Sequence, residues 1–171
     1  MVDRSEFLIH ARRLHNALRY AIENMDVAPD KLAIERPLFE HYASGIYLAG
    51  SFAFLEGKYG KQPWLPTPPR QVPFDQFLQQ LPPKVENTFA VAGISQKGVR
   101  ALVCIRNAVT HNDSDLAKND DKSCIAKVTD ANLPGVTING SVVTLSSTAS
   151  TDFMEYVRKS LIAISMFHGD S

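Results

Sequence analysis

Arg106, Asn107 and His111, in the run Arg-Asn-Ala-Val-Thr-His, hold the densest chemistry in this chain. Arginine presents a planar fork that stays charged at any physiological pH, and an unperturbed imidazole with a pKa of about 6.5 gives or takes a proton near neutrality. Positions five apart on an α-helix differ by about 140° in azimuth, close enough for two long side chains to reach one bound group. That pairing suits phosphate chemistry. RNA cleaves itself when its 2′-hydroxyl is deprotonated, the adjacent phosphorus is attacked in line and the leaving 5′-oxygen is protonated. An imidazole acting as base or acid contributes roughly 100- to 10,000-fold, and a guanidinium stabilises charge building on the phosphate, with no metal required. Asn107 adds an amide able to orient the ring or bond a non-bridging oxygen. The same Arg and His also suit a structural task, because cations near a helix C-terminus satisfy its last carbonyls and complement its dipole.

Helices must position these groups. Val99, Leu102, Val103, Ala108 and Val109 give an apolar face to a motif helix from Ser95 to about Asn112, with Ser95 as its cap. Upstream, Phe7, Ala11, Leu14, Leu18, Ile22 and Met25 recur every three or four positions and predict an amphipathic helix over 3–25, which Asp26 to Asp30 breaks. A second helix is predicted from Pro37, a residue suited to a first turn, to about Lys58. Its apolar residues wrap more than one face, which predicts a central position, and Gly45 and Gly50 permit close approach by a neighbouring helix or subunit. Pro63, Pro66, Pro68, Pro69, Pro73, Pro82 and Pro83 make 62–83 a Pro-rich connector that Trp64 packs down, with short helices near 74–80 and 84–89.

Downstream of the motif, the polar run Asn112 to Asp115 places His111 at the mouth of a cleft, and 113–127 is polar and reads as a mobile segment. Val136 to Ile138 and Val142 to Leu145 flank Asn139-Gly140-Ser141, the signature of a β-hairpin with a type I′ turn. A last helix is predicted from Asp152 to about His168, capped around Ser150 to Asp152, with Glu155 completing a capping box.

Arg106-Asn107 followed by His111, on the penultimate part of a small helical protein, resembles the signature of the HEPN superfamily. The order of elements is also similar to HEPN proteins carrying an insertion before the last helix. The resemblance implies a mainly α fold: residues 1–171 as one HEPN-like bundle of four to six helices, with a β-hairpin at 136–145 before the C-terminal helix. It implies a metal-independent endoribonuclease in a toxin, phage-defence or stress-response setting, with His111 as acid or base, Arg106 as phosphate clamp and Asn107 as positioning residue. One imidazole cannot serve as base and acid together, and the family pattern implies a homodimer in which two motif helices face one another across one composite cleft. The implied partners are RNA, a second copy, and an antitoxin or regulatory protein. The alternative from another class is a non-catalytic HEPN-fold module that binds nucleotide, RNA or a partner protein.

Composition narrows the field. With 18 basic and 18 acidic side chains in 171 residues, the net charge is zero, which argues against a broad electrostatic grip on long nucleic acid and favours a local site. No apolar run approaches the roughly 20 residues of a membrane span, and Met1 to Glu6 lacks a signal-peptide pattern, so the expected address is cytoplasmic, with no membrane partner. No cofactor and no metal are expected. Two cysteines are too few for a disulfide framework or a zinc site, and Cys104 reads as a buried small hydrophobe. His10, His15 and His41 read as partly exposed structural histidines. His111, Asp113, Asp115 and Asp121 lack calcium-loop spacing and read as a solvated turn. The run from Gly93 to Gly98 lacks a P-loop ending.

Overall fold

The computed structural model describes residues 28–59 and 95–167, together with positions 9, 13, 14, 16, 17, 19–21, 23–26 and 93. The Pro-rich connector, Trp64, His10 and His15 lie outside the described residues. The protein is mainly helical. In chain order the elements are α1 (Pro29–Tyr59), α2 (Gln96–His111), a 3-10 turn (Leu116–Lys118), α3 (Cys124–Ala131), β1 (Val136–Asn139), β2 (Val142–Leu145) and α4 (Ser147–Phe167). Described positions between Ile9 and Glu23 are helical too, as the apolar spacing there predicts.

Long α1 lies against α2 and α4, α3 covers the other side of α2, and the hairpin closes one end. Leu48 and Phe52 from α1, Val99, Leu102, Ile105 and Ala108 from α2, Leu116, Val128, Val143, Leu145 and Phe153 form one buried cluster. Each large side chain removed from water there contributes roughly 1.5–3 kcal/mol. Gly45 sets the spacing of α1 and α2, since a Cβ there would run into Val109 Cγ1. A Cβ at Gly50 would meet nothing within 4 Å among the described residues. The opposite side of α1 leaves Ile34, Leu38, Tyr42 and Ile46 exposed at 67, 53, 62 and 71%. The helix is therefore buried along one face among the described residues and not all round.

Several boundaries depart from the sequence reading. The helix expected to start at Pro37 starts at Pro29, and Pro37 sits inside it. A proline in a helix interior strips one hydrogen bond from the carbonyl four residues back. Ala33 and Pro37 are both exposed, on the outer side of the helix. Pro29 takes the first-turn role instead. The last helix begins at Ser147, five residues before Asp152. Its first amide is satisfied from a distance, the Ser147 N–H donating to Glu40 Oε2 of α1 at 3.0 Å. Glu155 closes no capping box and binds Arg158, accepting from its Nε at 2.7 Å.

The hairpin pairs Asn139 with Val142, so its two turn residues are Gly140 and Ser141. Gly140 has φ +63° and Ser141 is not among the positive-φ residues, which is the pattern of a type II′ turn with glycine first, not the expected type I′. The segment 113–127 is not a featureless polar stretch. It buries Leu116, Asn119 and Cys124 and contains the 3-10 turn and the start of α3. Cys124 and Val128 supply the buried side of α3 with Ile125 and Ala131 packed beside them, a helical spacing that the reading of 113–127 as a polar stretch passed over.

Candidate functional site

The motif helix has the ends its sequence specifies. Ser95 Oγ accepts from the Gly98 N–H at 3.0 Å, and the helix runs to His111 with Asn112 as C-cap. Asp113 and Ser114 then take φ values of +51° and +66°, a left-handed conformation uncommon for residues with a side chain. Tertiary bonds hold them there. The Ser114 N–H reaches back to the Ala108 carbonyl at 3.0 Å, and the Ser114 carbonyl accepts from Val143 N–H at 2.9 Å.

His41 completes this anchor. It is 7% exposed, a buried residue and not the partly exposed one expected. Its Nδ1 accepts from the Leu145 N–H at 3.1 Å, so the neutral ring carries its proton on Nε2 and donates to Ser114 Oγ at 2.8 Å. Burial lowers its pKa. The outer edge of β2 thus meets Ser114 and His41 in place of a third strand, and the chain leaving His111 is pinned to α1 and the hairpin.

Asn107 and His111 line one cavity of about 570 Å³, together with Arg100, Val103, Cys104, Lys118, Asp121 and Lys127. The reason lies in helix geometry. Arg100, Asn107 and His111 are seven and eleven residues apart, multiples that return to within about 20° of the starting azimuth. Cys104, about 40° from Arg100 in azimuth, lines the same cavity. His111 is exposed and Asn107 half-buried, and among the described residues neither they nor Arg100 are held by a hydrogen bond or ion pair. All three are available to a ligand.

Arg106 is not among the residues lining that cavity. Its guanidinium carbon stands 5.4 Å from the centroid of the Phe52 ring, on the side of α2 that faces α1. The azimuth of about 140° that permits convergence here sends the two side chains to different surfaces of one protomer. Arg100 is the α2 cation that shares the cavity with His111, and the sequence reading missed it. Its signal was present as the seven- and eleven-residue spacing.

The rest of the lining is polar and nearly balanced, with Arg100, Lys118 and Lys127 against Asp120 and Asp121. Lys118 bonds Asp113 at 3.2 Å, and Lys127 bonds Asp121 at close range. The Lys127 ammonium and the Ser123 hydroxyl and amide hold the Asp121 carboxyl down at about 2, so it is ionised. Buried Asn119 ties the facing loop to α2, donating from Nδ2 to the Cys104 carbonyl at 3.0 Å and accepting from Asn112 Nδ2 at 2.7 Å. Asp115 caps the 3-10 turn through the Ala117 N–H at 3.0 Å. The acidic residues of this loop therefore serve separate local contacts and do not converge with His111 on a cation.

The cysteines correct a second expectation. Cys104 and Cys124 are joined in a disulfide that ties α2 to the first residue of α3. Their separation of 20 residues suggests no pairing in sequence, and the fold brings their Cα atoms to 5.5 Å. A second cavity, about 350 Å³ and lined by Arg19, Glu23, Arg36, Glu40 and Asp152, is less suited to a ligand. Arg19 pairs with Glu23 at 3.1 Å, and Glu40 is committed to capping α4.

These features define a mainly helical protein with a hairpin before its last helix and a polar cavity along its motif helix. No family model matches the chain, nor does any curated protein or solved structure. No helix among the described residues is long and apolar enough to cross a membrane.

Proposed function

We propose that this protein is a metal-independent endoribonuclease of HEPN type, cleaving RNA by attack of a 2′-hydroxyl at a composite site in a homodimer. The observation that carries the reading is the cavity wall on which Arg100, Asn107 and His111 stand in line, unengaged and beside Lys118 and Lys127. His111 moves a proton, Asn107 orients the ring or bonds a phosphate oxygen, and Arg100 offers a fixed positive charge to the same phosphate. The zero net charge is consistent with a protein that reads one phosphate and its neighbours. Arg106 is the phosphate clamp of the motif. Its guanidinium packs over Phe52, away from the cavity of its own protomer, so in the composite site it must leave that ring to reach the shared cleft. A toxin or defence setting, controlled by an antitoxin or other regulatory protein, follows from the same reading.

Purified full-length protein incubated with RNA in EDTA tests this. Cleavage leaving 2′,3′-cyclic phosphate ends is expected, with loss of activity in His111→Ala at unchanged helical circular dichroism. Removing one charge-stabilising donor typically costs about 100-fold or more, and Arg100→Ala and Arg106→Ala should each fall in that range. Mixing Arg106→Ala with His111→Ala subunits should restore part of the activity. Full cleavage by His111→Ala refutes the proposal. The placement of Arg106 over Phe52 favours a second reading, in which the cavity binds a nucleotide or RNA phosphate and cleaves nothing. Salt-sensitive RNA binding that depends on Arg100, without products, identifies that case.

A further inference from the structure

The disulfide is part of the cavity wall, and a third donor stands beside it. Cys104 Sγ, Cys124 Sγ and a carboxylate oxygen of Asp121 all lie within 4.8 Å of one another, and all three residues line the cavity that holds Asn107 and His111. Asp121 is exposed, whereas both sulfurs belong to buried residues reached from the cavity side. We propose that this wall is a redox-gated cation site: with the disulfide open, Cys104, Cys124 and Asp121 bind a thiophilic divalent cation of the zinc class.

The donor chemistry fits. Thiolate sulfur and carboxylate oxygen are both zinc ligands, and donors in a tetrahedral site stand roughly 3.3–3.8 Å apart, a spacing that three atoms within this span can reach once the bond between two of them is gone. The Cα atoms are 5.5 Å apart, so side-chain rotation can separate the sulfurs without moving either helix. Cys124 is the first residue of α3, where the positive end of the helix dipole favours a thiolate. Charge also balances. Two thiolates and a carboxylate around a divalent ion carry one net negative charge, and Lys127, which already bonds Asp121, supplies the compensating cation.

The gate is a two-electron step. A phosphine reductant takes an oxygen atom from water, becomes the phosphine oxide and converts the disulfide to two thiols. Cation binding then releases the two thiol protons. The oxidised pair cannot bind, because neither sulfur carries the charge that makes it a ligand. Thiols predominate in a reducing compartment and the disulfide in an oxidising one, so the two states report the protein's surroundings. His111 is seven residues beyond Cys104, about 10 Å along the helix, too far to act as the fourth ligand, and water takes that position.

Full-length protein, reduced with tris(2-carboxyethyl)phosphine and desalted without oxygen, is titrated with Co²⁺ and then Zn²⁺. Stoichiometric growth of a thiolate-to-cobalt charge-transfer band is expected in the reduced protein, with displacement by Zn²⁺ and no band in the oxidised protein. Cys124→Ser abolishes it. Asp121→Asn retains a band but weakens binding at least tenfold, and His111→Ala binds like wild type, which separates this site from the RNA reading. Zn²⁺ should also raise the thermal midpoint of the reduced protein and not that of the oxidised. A folded, reduced protein with no band overturns the proposal, as does unchanged affinity in Asp121→Asn. Loss of helical signal on reduction that Zn²⁺ does not restore counts equally against it.

Discussion

Replacing His41 should disturb the anchor behind His111 in a way that pH reveals. His41→Ala removes the acceptor for the Leu145 N–H and the donor to Ser114 Oγ, both within the interior. An orphaned buried amide costs about 1–3 kcal/mol and a lost neutral hydrogen bond about 1 kcal/mol, giving an expected loss near 3 kcal/mol. His41→Asn can place an amide oxygen where Nδ1 stood, and should lose only about half as much. Burial lowers the folded pKa of His41 below that of the unfolded ring, about 6.5. Below pH 6.5 the unfolded chain therefore takes up a proton that the folded protein refuses. The His41 contribution is full above that pH and is lost as pH falls toward the folded pKa, with a slope of at most about 1.4 kcal/mol per pH unit. Urea unfolding between pH 7.5 and 5.5 reads both effects, and the difference in slope between wild type and His41→Ala isolates this ring from other titrating groups. An equal acid slope in His41→Ala, or a loss below about 0.5 kcal/mol at pH 7.5, would refute the tautomer and the anchoring role assigned to it.

Other consequences concern how α2 is held. Gly45→Ala places a methyl group against Val109 and should destabilise by about 1–3 kcal/mol, and Val109→Ala in the same chain should recover most of that loss in a double-mutant cycle. Opening the Cys104–Cys124 bond, by Cys104→Ser with Cys124→Ser, should lower stability by about 3 kcal/mol on the chain-entropy account for a separation of 20 residues. Chemical unfolding of the oxidised protein and the double variant measures this directly, and equal midpoints would contradict it.

Much of the architecture is legible in residue order alone. Ser95 announces the start of α2, the break expected at 26–30 falls just before Pro29 and separates two helices, and β-branched runs around Gly140 give a hairpin, because caps, turns and periodicity act over a few residues. Where local signals mislead, a remote group supplies what the local one would have. Glu40 caps α4 and moves its start to Ser147, and an exposed helix surface lets Pro37 ride inside α1. The eight residues of α3 carry a helical apolar spacing at Cys124, Ile125, Val128 and Ala131, and contacts with α2 bury it.

The candidate site divides in the same way. Sequence determines that Asn107 and His111 share a helix and, through the spacing of whole turns, that Arg100 belongs with them. Azimuth alone does not decide which neighbour each side chain meets. Only the packing of α1 against α2 commits Arg106 to Phe52, and only the contact of Ser114 with His41 pins the chain that follows the helix. The pairing of Cys104 with Cys124 beside Asp121 is likewise a product of tertiary structure, since it joins residues far apart in the chain. Local sequence specifies conformation, whereas which groups share a cavity depends on contacts that exist only after the helices have packed.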